Sequence, residues 1–375
     1  MIQIEQIDTT SKQQVKRFID LPYRLYADEP HWVPPLRADV ALMLDRAKHP
    51  FYERSEADFF IASRDGRDVA RIAALECPPY NTHHGTRRAQ FYLFDCEEDL
   101  ESVTGLFERV YDWARARGLT ELVGPKGFSA FDGYGVQVEG FEHRQMMTMM
   151  NYNFPYYPVL LEALGFRKEV DFVSCYIQPE TFQLPERVHR IAERVRQRGN
   201  LQIRTFRSKR EVAVWADRIG QAYNQAFVNN WEYYPLSQRE IDFLAEQLLT
   251  VADPRLVTLI TNDERVVGFL VAFADVSRGL QRAKGRLFPF GILHLLLDMR
   301  RTQWMALNGA GILPEYHGLG GNALLYARIE RAVRDSRFQH AELTQVAETA
   351  VQMRHDLENL GARPYKNHRV YLRDL

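Results

Sequence analysis

Along this chain of 375 residues the same order of secondary-structure signals occurs twice, and that repetition restricts the fold more than any other feature. In the first half, strand-like IQIEQI precedes a helical stretch at 11–27, then strands ADFFIASRD and DVARIAALE meet at Asp65-Gly66, a hairpin signal. AQFYLFD, a helix from about Glu98 to Arg117 stopped by Gly118, a strand ELVG, a helix around Tyr156–Leu164 and Gly165-Phe166 follow. The second half runs LQIRTF, a helical region Glu211–Phe227, strands LVTLIT and RVVGFLVAF, an apolar insertion around Phe288–Leu297, and strand WMALNGAGIL. A glycine-rich run, a helix Ala323–Asp335, strand HAELTQV, helix Ala350–Leu360, Gly361 and a last strand VYL complete it. Two sets of strands and helices, each long enough for its own core, predict an α+β protein with mixed sheets and two tandem domains. The polar, Pro-punctuated stretch from Gln178 and the charged helix Glu186–Arg198 place domain one at 1–180, a connector at 181–199 and domain two at 200–375.

The run GILPEYHGLGGNALL at 311–325 is the strongest local signal. An apolar strand is broken by Pro314, three glycines follow, and a helix opens near Asn322. Glycines permit close backbone approach, and a helix N-terminus presents orphan amides at the positive end of its dipole. The combination suits an anion such as a phosphate. Charge agrees: residues 1–185 carry 20 Lys+Arg against 28 Asp+Glu, whereas residues 186–375 carry 28 against 21. The corresponding place in the first half reads CEEDLESVTG, whose carboxylates repel an anion.

Composition sets the class. Hydrophobic residues at 46% with 26% charged are those of a soluble globular protein. Cys77, Cys96 and Cys175 have no metal spacing and form no close pair, so reduced thiols and no metal are expected. MIQIEQIDTTSKQQ lacks the pattern of a secretory signal, and LFPFGILHLLLDM is too short to span a bilayer, which together predict a cytoplasmic protein. A formal net charge of −1 argues against a nucleic-acid partner.

The element order, with PEYHGLGG at the end of the fourth strand, resembles the GCN5-related N-acetyltransferase (GNAT) superfamily. That resemblance implies acetyl-coenzyme A or another acyl-coenzyme A as donor substrate. Its pyrophosphate would sit on a loop whose positions fall on His317, Gly318, Leu319, Gly320, Gly321 and Asn322, with the pantetheine aligned along the strand at Ile312. The superfamily has Arg or Gln where His317 stands and Gly or Ala where Asn322 stands. It often uses a strand Glu as base, implying Glu342 or Glu315 here, and a helix Tyr as acid. The Tyr position falls on Leu357, which leaves Tyr365 and Tyr371 as candidates. The acceptor implied is a small amine or a peptide, with the oligomeric state left open. At finer grain the chain resembles bacterial proteins built from two such domains. LPYRLYADEPHWVPPL (21–36), HPF (49–51), GP (124–125), NYNFPYY (151–157), GRLFP (285–289) and ARPYKNHRVY (362–371) carry that likeness. Two other functions compete: a non-catalytic ligand-binding or scaffold protein on the same fold, and an aminoacyl transferase fed by charged tRNA.

Overall fold

The computed structural model describes residues 1–129, 131–147, 150–178, 184–231, 233–334, 337–359 and 361–375, the side chains of 308, 329, 332, 333, 352 and 359 excepted. Most of the proline-rich stretch expected as a linker, 179–183, lies outside them. Packing divides the chain into two compact units. Unit 1 comprises Met1–Val173, Val276–Asp298 and Tyr365–Leu375; unit 2 comprises Ser174–Asp275 and Met299–Pro364. The grouping differs from a single cut in the sequence, because two segments of the C-terminal half pack with the N-terminal one.

In chain order the first elements are β1 (Ile2–Gln6), α1 (Lys12–Leu25), α2 (Arg37–Leu44), β2 (Glu56–Arg64), β3 (Arg67–Glu76), α3 (Pro78–His84) and β4 (Arg88–Cys96). Next come α4 (Leu100–Arg115), β5 (Glu121–Gly124), β6 (Val136–Glu139), α5 (Tyr156–Ala163) and β7 (Arg167–Ile177). The hairpin between β2 and β3 turns at Asp65 and Gly66, with φ of 51° and 80°, as an Asp-Gly pair favours. β1 to β4 form antiparallel neighbours, and β4 then pairs parallel with β5 from Arg88↔Glu121 to Gln90↔Val123. The helix α4 buries Val103, Leu106, Phe107, Val110 and Tyr111 at heptad-like spacing, and Phe107 meets Phe91, Phe94 and Phe166 edge-on at 5.2–5.3 Å.

The remaining elements are α6 (Glu186–Arg198), β8 (Gln202–Thr205), α7 (Lys209–Val214), α8 (Ala216–Ala226), α9 (Gln238–Val251), β9 (Val257–Asn262), β10 (Arg265–Ala274) and α10 (Ser277–Ala283). They end with α11 (Gly291–Arg301), β11 (Trp304–Ile312), α12 (Gly321–Arg334), β12 (His340–Ala347), α13 (Val351–Asn359) and β13 (Arg363–Asp374). In unit 2, β8 to β11 are antiparallel neighbours and β11 pairs parallel with β12. In unit 1, β13 pairs antiparallel with β5, from Tyr371↔Gly124 to Asp374↔Glu121. The helical region expected at Glu211–Phe227 is interrupted at Trp215, a buried ring covered by the guanidinium groups of Arg204 and Arg218 at 4.3 and 4.6 Å. α9 is a helix that the sequence reading passed over, although its start carries a complete Ser237–Glu240 capping box. Among the described residues no helix is long and apolar enough to cross a membrane.

Candidate active site

The glycine run of unit 2 forms a one-turn 3₁₀ helix at Pro314–Tyr316, a turn, and then α12, which begins at Gly321, one residue before the expected start. Each glycine is required for a different reason. Gly318 has φ +75° with open space where a Cβ would stand, so only its backbone conformation matters. Gly320, at φ +86°, lies against α6: a Cβ there would come within 2.6 Å of Val195 Cγ2 and 3.0 Å of Ile191 Cγ2. A Cβ on Gly321 would meet Ile312 Cδ1 at 2.9 Å. Among the described residues the amides of Gly318, Gly320 and Gly321 donate to no backbone carbonyl, so they remain the orphan donors of a helix entrance. His317 turns back and its Nε2 lies 2.9 Å from the carbonyl oxygen of Ile312, while Leu319 and Asn322 are exposed. Asn322 sits inside the first turn of α12, not at its cap.

The parallel pairing of β11 and β12 runs from Trp304↔His340 to Leu307↔Leu343. Among the described residues no pair is recorded beyond it, although the strands continue to Ile312 and Ala347, and Gln345 takes a left-handed φ of 58°. Glu342 stands at the last turn of this paired stretch, opposite Ala306, and is fully buried. Cys175 on β7 is raised to about 11, first by burial; the charge of Arg354 opposes this, and Glu342 and Glu358 reinforce it. A thiol held that high is protonated at neutral pH and is no nucleophile. Leu357, at the superfamily's Tyr position, is buried on α13. Tyr326 of α12, which the sequence reading did not single out, donates to Asp356 of α13 at 3.3 Å.

The other nominated residues are placed differently. Glu315 is half-exposed and ion-paired to Arg265 at 2.6 Å; its own backbone amide, more than Arg265, lowers its pKa, which makes it a weaker base. Tyr365 and Tyr371 group with unit 1, whereas the glycine loop and Glu342 belong to unit 2. The Tyr371 hydroxyl donates to Glu162 at 3.2 Å, and burial pushes its pKa up to about 12. Tyr365 packs its ring 4.8 Å from His143. Among the described residues no group of three or more His, Cys, Asp or Glu is placed to hold a metal ion.

Comparison with known proteins places this geometry. The chain is 31% identical over 375 residues to the bacterial ceramide synthase of Caulobacter vibrioides (strain NA1000 / CB15N), spanning 97% of this chain and 96% of that one. The chain belongs to the bacterial ceramide synthase family. Protein YghO of Escherichia coli (strain K12) is 25% identical over 370 residues, covering 96% of this chain and 93% of the relative. No protein-family model matches the chain. Among solved structures, a tandem GNAT protein from the clavulanic acid biosynthesis pathway superposes with a TM-score of 0.57 at 14% identity, covering 100% of this chain and 98% of the other. A GCN5-related N-acetyltransferase from Sphaerobacter thermophilus gives 0.52 at 13% identity, covering 100% and 95%. These two share the fold. This family member is thus built on the GNAT fold, an acyltransferase architecture, as its element order implied.

In this ceramide synthase relative the helix entrance of unit 1 is occupied by its own carboxylate. Asp99 caps α4 by accepting from the Ser102 amide, and it also receives three hydrogen bonds from Arg64 at 2.8–2.9 Å. At the end of β4, Tyr156 and Tyr157 of α5 both donate to the carbonyl of Cys96, at 2.7 and 3.2 Å. Strand-end groups that could face a ligand are therefore satisfied internally. Apart from residues 362–364, the segments carrying the family likeness gather in the same unit. Phe128, beyond Gly124-Pro125, packs against His49 and Phe51 at 5.4 and 4.7 Å. Asn151 donates to the Gly135 carbonyl, Asn153 receives the Gln137 amide, and His368 Nε2 lies 2.9 Å from the Asn151 carbonyl oxygen. Arg37 donates its amide to the Gly285 carbonyl at 2.9 Å, tying 21–36 to 285–289. Their shared reason is bracing of long loops whose backbone groups need side-chain partners. The signal was the Asn, His and Pro content of those segments, read in the sequence only as likeness.

Proposed function

We propose that this protein transfers a long-chain acyl group from an acyl-coenzyme A to the amino group of a long-chain amino alcohol, forming an amide. One observation carries the proposal: the full-length 31% identity to a protein named as a ceramide synthase, since a ceramide is the fatty amide of such an amine. The GNAT fold supports acyl transfer, and the orphan amides of Gly318, Gly320 and Gly321 supply a place for the donor's pyrophosphate. Acetyl-coenzyme A, the donor expected first, is the shortest member of that class.

The amine nitrogen attacks the thioester carbonyl; the C–N bond forms, the C–S bond breaks, and the sulfur departs as a thiolate that takes up a proton. The amine must lose a proton to become an amide. Glu342 takes it, directly or through a water, from its place beside the end of the β11–β12 pairing. Ile312 and the His317 ring tied to its carbonyl set the end of β11 from which the donor's pantetheine extends.

The test is thiol release on mixing the full chain with palmitoyl- or acetyl-coenzyme A and sphinganine, with product mass read in parallel. Sphinganine amide should form faster from the palmitoyl donor, and Glu342→Gln should lower kcat by about 10²-fold or more with little change in donor Kd, as loss of a general base does. Thiol release from no donor, or an undiminished rate in Glu342→Gln, would refute respectively the activity and the assignment of the base.

A further inference from the structure

The helix α11 is built inside out. Four of its apolar residues, Ile292, Leu293, Leu296 and Leu297, spaced i, i+1, i+4, i+5, form one stripe, and all four are exposed. The loop before it adds Phe288, 76% exposed, and Phe290, 67% exposed. The face turned inward is mixed: Gly291 and Asp298 are buried, and His294, Leu295 and Met299 are half-buried. Asp298 is buried and accepts from the Gly279 amide at 2.7 Å, and Gly279 lets the α11 backbone approach so closely that a Cβ would lie 3.0 Å from the His294 carbonyl oxygen. Gly291 makes a similar close approach to the Arg286 carbonyl. A helix anchored by a buried carboxylate and two glycines, with Leu293, Leu296 and Leu297 outward, is held in that orientation by its own contacts.

Charge identifies what covers the stripe. Between Val276 and Arg301 the basic residues are Arg278, Arg282, Lys284, Arg286, Arg300 and Arg301, all exposed, and the one acidic residue is the buried Asp298. Three of the basic residues precede the phenylalanines closely and two end the helix. Arg282 reaches the buried Asp298 at 3.4 Å, and the same segment carries five further exposed cations. Apolar side chains flanked by such an excess of cations match a bilayer surface of anionic lipid, where the rings and leucines enter the acyl boundary and the cations meet headgroup phosphates. We propose that α11 and residues 286–290 form a membrane-docking face that seats the protein on anionic bilayers. The inference stands on this face alone and is independent of which acyl group the protein transfers.

The experiment is co-sedimentation of the full chain with vesicles of phosphatidylcholine and phosphatidylglycerol, against vesicles of phosphatidylcholine alone. Wild-type protein should pellet with the anionic vesicles and be released by high salt. Leu293→Glu/Leu296→Glu, on exposed positions, should weaken binding at least tenfold, and Lys284→Glu/Arg286→Glu, which leaves the Arg282–Asp298 pair intact, should remove the preference for anionic lipid. Wild-type protein that stays in the supernatant at saturating lipid would overturn the proposal whatever the variants do. So would a wild-type dimer, seen by sedimentation velocity without lipid, that Leu293→Glu/Leu296→Glu converts to monomer, because a second copy would then cover the stripe.

Discussion

His368 shows how one buried side chain couples this protein to pH. It sits on β13 with its Nε2 against the Asn151 carbonyl, and burial first, then the charge of Lys366, lowers its pKa from 6.5 to about 3. The folded state therefore binds fewer protons than the unfolded chain between those values. Stability from this group is complete above pH 6.5 and is lost as pH falls toward 3, at roughly 1.4 kcal/mol per unit. His49, lowered to about 4 by burial, acts in the same direction, whereas Asp132, raised to about 6 by burial, acts in the opposite one. Comparing His368→Gln with wild type cancels the other two. The variant should lose clearly less stability between pH 7 and pH 4.5 in urea titrations; equal losses would show that His368 is not held neutral. His317 was legible as a candidate because its neighbours spell a motif, and Glu342 because the family resemblance implies a strand Glu. His368 was not, because the carbonyl it faces belongs to Asn151, far away in the chain.

At the scale of elements, the glycine loop and α6 depend on each other. The sequence reading assigned Gly320 to close approach by a phosphate; in the structure the approaching group is α6, which packs along α12. A valine at 320 must adopt a left-handed φ and overlap Val195 and Ile191. Gly320→Val should therefore destabilise unit 2 by about 2–4 kcal/mol, combining overpacking with left-handed strain. Gly318→Ala, with open space around it, should cost only about 1 kcal/mol. Calorimetric melting of the two variants checks the contrast, and equal shifts would mean that α6 yields freely. Strand and helix positions were readable from period and punctuation. The break at Trp215 was not, and there two arginines from separate elements cover one ring.

At the scale of the whole molecule, the chain returns to its first unit at the end. Val370, Tyr371 and Leu372 are buried in β13, beside β5, and residues 276–298 also belong to unit 1. A fragment ending at residue 180 lacks both. It should show no cooperative unfolding by circular dichroism, while co-expression with 181–375 should restore a soluble complex; a fragment 1–180 that melts cooperatively would show that β13 is dispensable. By itself the sequence determined the two sets of strands and helices, the GNAT-like order, the glycine loop and the acidic run that stands in its place in the first half. Those are local matters of period, turn chemistry and charge, written in consecutive residues. Tertiary structure alone decided that the last strand closes the first unit, that Gly320 makes room for a helix, and that Leu293, Leu296 and Leu297 of α11 face outward. Each depends on which distant surfaces meet, and hydrophobic periodicity specifies that a face is apolar without specifying what it is packed against.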